Sequence, residues 1–180
     1  TQKAAMNLGM NVIVLDVNAG AWKLETERGV IMDGDKAEHL LEAIPVMACY
    51  CDMIGVRSFA RLSDREYDYA ETVLNQFIKY SGKPVFAMET ATVHPLQAFA
   101  DLITMEESWA KDNGYCLDSF DFNHKKMKAV LTWAPHCRAL PQAVPNSYAQ
   151  WMLAAPDVEL VVTHPHGYEL DPKFLEYTNP

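Results

Sequence analysis

The hydrophobic positions of this chain follow two different periods. Short apolar runs rich in β-branched residues predict strands, and apolar residues spaced three and four apart predict helices. The predicted strands are Asn11–Val17, Cys51–Val56, Pro84–Met88, Ala129–Trp133 and Val158–Thr163. The first of them is almost wholly apolar, which is the pattern of a strand buried on both faces.

Helices are predicted in the segments between these strands. They are Thr1–Leu8, Lys36–Met47, a stripe from Tyr67 to Ile78, Pro95–Glu107 and Asn146–Leu153. Pro45 predicts that the second helix stops or kinks near its end, whereas Pro95 suits the first turn of its helix. Strands that alternate with helices predict an α/β fold with a doubly wound parallel sheet, followed by part of a second α/β domain.

One segment breaks this alternation and suggests a domain boundary. Ser108–Lys128 is polar, contains Asn113-Gly114 and has no sustained period. We therefore expect a first domain at residues 1–108, an insertion or hinge at 109–128, and a partial second domain at 129–180. Thr1-Gln2-Lys3 has the character of a helix interior, so we expect the chain to be a fragment truncated at both ends.

Composition narrows the classes of function. The chain has 180 residues, 49% hydrophobic and 22% charged, with a net charge of -9 and no Lys/Arg-rich run. Non-specific nucleic-acid binding needs a basic surface, so we expect no nucleic-acid partner. No apolar stretch is long enough to span a bilayer. Four cysteines without a CxxC motif favour a reducing, cytoplasmic compartment.

The stretch Val85–Asp101, VFAMETATVHPLQAFAD, collects the most chemistry. Glu89 follows a predicted strand directly, His94 opens a predicted helix, and Gln97 lies in the first turn of that helix. The unpaired amides at a helix start carry a partial positive charge. A carboxylate, an imidazole and an amide beside such a start suit a small polar or anionic ligand.

Arg57 follows the predicted second strand, and ligands of open α/β sheets lie beyond the carboxyl ends of the strands. Its guanidinium offers a rigid fork of donors that matches a phosphate or a polarised carbonyl. The alternative is a solvated arginine at a strand end. Other candidates expected at strand ends are Asp16, Trp22, His136, His164 and His166.

Each residue of the central motif has an ordinary alternative. His94 could donate a hydrogen bond to a carbonyl oxygen as negative charge develops there, or it could cap its own helix. Glu89 could hold a cationic amine, cap the Thr90–Thr92 turn, or pair with a lysine. Gln97 could bind a substrate amide or be a helix surface residue.

We expect neither a metal nor a cofactor. His136-Cys137 and His164-x-His166 contain zinc-ligand types, but their spacing matches no common zinc motif. No base partner can be named for Cys137 as a nucleophile. Neither GxGxxG after the first strand nor GxxxxGK[ST] occurs, so dinucleotide and P-loop functions are without support.

Long ordered runs resemble the N-acylornithine transcarbamylases of the aspartate/ornithine carbamoyltransferase family, with the succinylornithine branch the more similar. The runs are MNLGMNVIVLDVNAGAWKLETERGVIMDGD, EHLLEAIPVMACYCDMIGVRSFAR, METATVHPLQAFADLITMEE, TWAPHCRALPQAVPNSYAQWM and THPHGYELDPKF. The resemblance implies a carbamoyltransferase of arginine biosynthesis that needs no cofactor. It implies one α/β domain for carbamoyl phosphate, one for N-acyl-L-ornithine, and a homotrimer. A non-catalytic ligand-binding or subunit-interaction module of the same fold is the alternative.

The resemblance also implies roles for individual residues. Arg57 in GVRS, with His94 and Gln97 in HPLQ, matches the carbamoyl phosphate contacts of the family. Trp22 matches a loop tryptophan that reaches a neighbouring subunit.

Further matches concern the acylornithine. Glu89 and His136 match the contacts that the family makes to it. Ala37 stands where succinylornithine enzymes have proline and acetylornithine enzymes have glutamate, so the acyl preference stays open. The family's phosphate loop would precede Thr1 and its substrate-binding lysine would follow Pro180, so we expect the chain alone to be inactive.

Overall fold

The structure is a computed structural model that describes residues 1–17, 22–114 and 126–176. The helices of these residues are α1 Gln2–Asn7, α2 Leu40–Ala48, α3 Arg65–Tyr69, α4 Thr72–Tyr80, α5 Pro95–Asn113 and α6 Ala143–Ala154. The strands are β1 Leu24–Glu25, β2 Glu38–His39, β3 Ile54–Arg57, β4 Val85–Glu89, β5 Met127–Thr132 and β6 Val158–Thr163. A 3₁₀ turn follows at Pro172–Phe174.

The strands pair in parallel, which confirms the predicted α/β class. Within the described ranges they form three two-stranded sheets, β1–β2, β3–β4 and β5–β6. Helices connect the strands of two pairs, α3 and α4 between β3 and β4 and α6 between β5 and β6, because parallel neighbours need a crossover. Strand β6 has the predicted bounds, and β4 ends one residue later than predicted, at Glu89.

The β3–β4 ladder contains a shift of register at its carboxyl end. Val56 pairs with Ala87, but the next residue, Arg57, pairs with Glu89, so Met88 is the extra residue on β4. Such a bulge redirects the side chains that follow it. Here it places the last residues of the two strands, a cation and a carboxylate, opposite each other.

Gly55 allows the close packing of β3 and β4. It pairs with Phe86, and a Cβ at this position would lie 2.6 Å from Cζ of Phe86 and 3.0 Å from Sδ of Met88. The missing side chain therefore leaves room for the Phe86 ring next to the strand that carries Arg57.

The prediction that Asn11–Val17 forms a buried strand is wrong. The segment is irregular, and the side chains of Ile13, Val14 and Leu15 are each more than half exposed. A strand needs a neighbour for its backbone groups, and in the described part of the chain none is paired with this segment. Val17, at its end, packs against a core cluster.

Helix α2 continues past Pro45 to Ala48, so of the predicted stop or kink at Pro45 the stop is wrong. Proline removes one backbone hydrogen bond from a helix interior. Ala43 and Ile44 of the same helix are fully buried and form a core cluster with Leu24 and Leu40. This burial outweighs the lost hydrogen bond.

The apolar stripe from Tyr67 to Ile78 belongs to two helices rather than one. Helix α3 ends at Tyr69 and α4 starts at Thr72, because Glu71 between them has a left-handed backbone with φ +47°. Neither glycine nor proline marks this break in the sequence.

Helix α5 extends six residues beyond its predicted end at Glu107 and closes at Gly114 in a left-handed conformation. Residues 109–113 of the predicted hinge are therefore helical, and Met127 and Lys128 begin β5. Residues 115–125 lie outside the described residues, and the division into domains stays a prediction. A second core cluster joins α5, β5 and α6 through Leu102, Ala129 and Met152.

Among the described residues, every helix is too short or too polar to cross a membrane.

Replacing Gly55 by alanine is expected to lower the free energy of unfolding by about 1–3 kcal/mol, because the new methyl group displaces the Phe86 ring. Gly34→Ala is the matched control. A Cβ at Gly34 meets nothing within 4 Å, and its backbone is not left-handed, so this variant should be neutral or up to about 1 kcal/mol more stable. Urea unfolding measures both, and equal stabilities would contradict the close approach.

Candidate functional site

Arg57 and Glu89 form an ion pair at the carboxyl ends of β3 and β4. Nη2 of Arg57 lies 2.9 Å from Oε2 of Glu89, and the guanidinium packs 4.5 Å from the ring centre of Phe59. The Arg57 side chain is 58% exposed and that of Glu89 20%. The guanidinium is thus held in place but open to solvent. Among the described residues Glu89 pairs with Arg57 and not with a lysine, which was one of the alternatives open from the sequence.

His94 lies beside the same carboxylate. Its Nε2 is 3.7 Å from Oε2 of Glu89, and its buried Nδ1 finds no hydrogen-bond partner among the described residues. His94 is the N-cap residue of α5, but its side chain makes no capping hydrogen bond. The alternative that His94 caps its own helix is therefore not observed.

The turn between Glu89 and His94 is held by a different carboxylate. Oε1 of Glu71 accepts hydrogen bonds from the Thr90 hydroxyl at 2.6 Å, the Thr92 hydroxyl at 2.8 Å and the Thr92 amide at 2.7 Å. Glu89, which sequence reasoning offered as a possible cap of this turn, contacts Arg57 instead.

Helix α6 holds the same segment from the other side. The side-chain amide of Asn146 donates to the Thr92 carbonyl at 3.0 Å, and the backbone N–H of His94 donates to the Ser147 hydroxyl at 2.7 Å. Both α6 residues are buried, and these hydrogen bonds give their polar side chains the partners that buried polar groups need. The second α/β half of the chain thus supports the site of the first half.

Gln97 lies in the first turn of α5, as predicted, but its amide is directed along the helix. Nε2 of Gln97 donates to Oδ1 of Asp101 at 2.8 Å, and the side chain is exposed. This contact matches the surface alternative, although the residue lies one turn from His94.

Trp22 and Ala37 lie together at a second location. The Trp22 indole N–H donates to Oε2 of Glu38 at 2.9 Å, and the Ala37 amide donates to the Lys23 carbonyl. The buried Glu25 carboxylate anchors this segment. The backbone N–H of Glu27, with Lys36 at 3.0 Å, lowers the pKa of Glu25.

His136 lies in the loop between β5 and α6. Its Nδ1 contacts the backbone of Arg138 at 3.0 Å, and the side chain is exposed. Near the end of β6, His164 stacks on Trp133 with ring centres 5.2 Å apart. No cluster of three or more His, Cys, Asp or Glu side chains suited to a metal occurs in the described ranges.

A shallow cleft of about 230 Å³ lies along α4 and is separate from these groups. It is lined by Arg28, Ala70, Thr72, Asn75, Gln76 and Lys79. None of the residues proposed from the sequence lines it. The candidate site is therefore the group of contacting side chains at the strand ends, and not this cleft.

Three of the predicted residues, Arg57, Glu89 and His94, are thus brought together. The guanidinium and the imidazole can each donate to oxygen, whereas the carboxylate can hold a cation. An anion that draws Arg57 away would leave Glu89 open to a positively charged group. This arrangement suits one anionic and one cationic reactant side by side.

Sequence reasoning missed the residues that support this trio: Glu71, Thr90, Thr92, Asn146 and Ser147. Thr90 and Thr92 lie inside the motif, where the sequence indicated a turn, but nothing indicated that their hydroxyls would share the Glu71 carboxylate. Asn146-Ser147 lies more than fifty residues away, and no local signal links it to His94.

The chain matches the family model described as "Aspartate/ornithine carbamoyltransferase, carbamoyl-P binding domain" over residues 1–107. It is 68% identical over 178 residues to an N-succinylornithine carbamoyltransferase of Bacteroides fragilis (strain 638R), which covers 97% of the chain and 51% of that protein. The N-acetylornithine carbamoyltransferase of Xylella fastidiosa (strain Temecula1 / ATCC 700964) is 36% identical over 96% of the chain and 48% of the relative.

Solved structures agree with these matches. A mutant N-acetyl-L-ornithine transcarbamylase complexed with carbamyl phosphate and N-succinyl-L-norvaline has a TM-score of 0.80 and 33% identity, covering 96% of this chain and 49% of that chain. An acetylornithine transcarbamylase complexed with acetylcitrulline has a TM-score of 0.77 and 36% identity, covering 96% and 48%. The chain spans about half the length of the curated relatives it matches.

Replacing Asn146 by alanine is expected to lower the free energy of unfolding by about 1–3 kcal/mol, because the Thr92 carbonyl loses its donor in a buried place. Gln150→Ala, at an exposed position of the same helix, should change it by less than about 0.5 kcal/mol. Urea unfolding compares the two variants. If both are as stable as the wild type, the Asn146–Thr92 contact does not hold the segment.

Proposed function

The chain belongs to the aspartate/ornithine carbamoyltransferase family, and from this premise we propose that its protein transfers the carbamoyl group of carbamoyl phosphate to the side-chain amine of an N2-acylated ornithine. The acyl group that we favour is succinyl. The product is the corresponding N-acylcitrulline, and the reaction belongs to arginine biosynthesis.

The observation that carries this proposal is the difference in identity between two named classes of relative. Identity is 68% and 67% to two N-succinylornithine carbamoyltransferases of Bacteroides, and 36% to the N-acetylornithine carbamoyltransferases of Xylella and Xanthomonas. Both classes are matched over at least 96% of the chain. The contrast is therefore not caused by a difference in coverage.

In the proposed mechanism Arg57 and His94 bind carbamoyl phosphate. The exposed guanidinium exchanges Glu89 for the more highly charged phosphate group of this substrate and also donates to its carbonyl oxygen. Nε2 of His94 lies on the same side as Glu89 and donates to the carbonyl oxygen as negative charge develops on it. Fixed donors of this kind stabilise the tetrahedral intermediate without reorganisation.

Glu89 then holds the acylornithine. Release from Arg57 leaves its carboxylate 3.7 Å from the imidazole and free to accept a hydrogen bond from an N–H group of the incoming substrate. The side-chain amine attacks the carbonyl carbon and forms a C–N bond, the C–O bond to phosphate breaks, and the nitrogen loses a proton. Much of the acceleration comes from holding two small reactants in line.

Gln97 and His136 have supporting roles in this proposal. Gln97 exchanges its contact with Asp101 for the NH2 group of the carbamoyl unit. His136 contacts the acylornithine from the second α/β half. Both side chains are exposed in the structure and are free to turn towards a ligand.

Trp22 and Ala37 have separate roles in this proposal, Ala37 in the choice of acyl group and Trp22 in the homotrimer. Their contacts through Lys23 and Glu38 place both on one segment, so a ligand that reaches one of them lies near the other. We propose that Ala37 takes part in acyl selection and that Trp22 completes the carbamoyl phosphate site of a neighbouring subunit in a homotrimer.

The proposed location is the cytoplasm. Three cysteines of the described residues, Cys49, Cys51 and Cys137, are free thiols, which supports a reducing compartment.

The alternative, a non-catalytic module of the same fold, is not favoured. The relatives that match nearly the whole chain carry the names of enzymes.

A carbamoylation assay of the complete protein tests the proposal. Purified protein is incubated with carbamoyl phosphate and with ornithine, N-acetylornithine or N-succinylornithine, and the ureido product is measured. The highest kcat/KM is expected for N-succinylornithine. If none of the three amines is carbamoylated, the proposed function is wrong.

Arg57→Ala in the complete protein is expected to lower kcat/KM about 10²–10³-fold, because one donor to the developing oxyanion is lost. Lys128→Ala is the control. Lys128 is exposed and pairs with the exposed Glu159, so activity should be unchanged. Unchanged kcat/KM in Arg57→Ala would remove Arg57 from the mechanism.

A further inference from the structure

One oxygen atom receives three hydrogen bonds from the turn that links two of the proposed site residues. Oε1 of Glu71 accepts from the hydroxyl of Thr90 and from the hydroxyl and the backbone N–H of Thr92, at distances between 2.6 and 2.8 Å. We call these three residues the Glu71 clamp. Short hydrogen bonds to an ionised acceptor are stronger than those between neutral groups.

The clamp lies where water cannot replace it. Thr90 is 1% exposed and Thr92 3%. Without the carboxylate, the Thr92 hydroxyl and amide would lose their acceptor, and the Thr90 hydroxyl would keep only a long contact to the Val93 carbonyl at 3.4 Å. The turn itself is closed by the Thr90 amide, which donates to the same carbonyl at 2.8 Å. The Glu71 carboxylate is therefore one of the contacts that fix the position of His94 relative to Glu89, together with those of Asn146 and Ser147.

Glu71 adopts an unfavourable backbone to reach this turn. Its φ is +47° and its ψ 43°, a backbone conformation that residues other than glycine, asparagine and aspartate rarely adopt. As the N-cap residue of α4 it could cap its own helix, but its side chain makes no such hydrogen bond. Backbone strain of this kind is a reason to look for a functional role.

We propose that Glu71 is a positioning residue for carbamoyl transfer, which fixes the spacing between Glu89 and His94 by holding the turn between them. The inference rests on the proposed function. Glu71 acts through Thr90 and Thr92, whose hydrogen bonds its carboxylate accepts. A displacement of about 1 Å at a reacting group can lower the rate about a hundredfold, so a small movement of this turn is sufficient.

Two substitutions in the complete protein separate positioning from simple stability. Glu71→Gln keeps the size of the side chain but removes the charge from the shared acceptor. Glu71→Asp keeps the charge and suits a left-handed backbone better, but its carboxylate is about 1.5 Å further from the turn. Glu66→Gln, which removes an exposed carboxylate from nearby α3, is the control.

Two readouts are taken for each protein. Hydrogen exchange of the peptide that covers residues 89–94 reports whether the Thr92 amide is still held. Steady-state kinetics with carbamoyl phosphate and N-succinylornithine report kcat and KM separately, after circular dichroism has shown that each variant is folded.

Both Glu71 variants should exchange faster in this peptide and lose about ten- to a hundredfold in kcat, with Glu66→Gln like the wild type. Unchanged exchange, or faster exchange with unchanged kcat in both folded variants, overturns the proposal. If the wild type itself carbamoylates none of the acceptors, the proposed function fails; exchange then decides by itself whether Glu71 holds the turn.

Discussion

The parallel ladder between β3 and β4 is the constraint on which the site depends. Its hydrogen bonds bring together two strands that are separated by α3 and α4, and its single shift of register decides which side chains meet at the end. With a regular register, Arg57 would lie opposite Met88. The extra residue on β4 places it opposite Glu89 instead, so a backbone irregularity produces the ion pair at the centre of the site.

The segment after β4 is a loop that is buried inside the protein. Loops usually lie at the surface, where water satisfies their backbone groups. Here protein side chains replace the water: Glu71 from one side, and Asn146 and Ser147 from the other. A buried polar network that is satisfied in this way favours one arrangement of the loop. Among the described residues, one atom that this network leaves unpaired is Nδ1 of His94, a residue of the candidate site.

The local sequence pattern predicted the strands and helices on which the site residues lie better than the backbone irregularities that bring these residues together. It predicted β6, the end of β4 near Glu89 and the start of α5 after His94, because periodicity and proline act over a few residues. It could not predict the shift of register or the break at Glu71, since both arise from contacts between segments distant in the chain. It was wrong about Asn11–Val17, where apolar character alone does not supply a partner strand.

The two hydrogen bonds that α6 makes to the site also restrict how the halves of the molecule can move. Asn146 and Ser147 are consecutive, and they hold Thr92 and His94, which are separated by a single residue. A rotation that preserves both contacts must have its axis close to them. Atoms near an axis travel least, so the imidazole of His94 would move little in such a rotation, and the far end of α6 would move most.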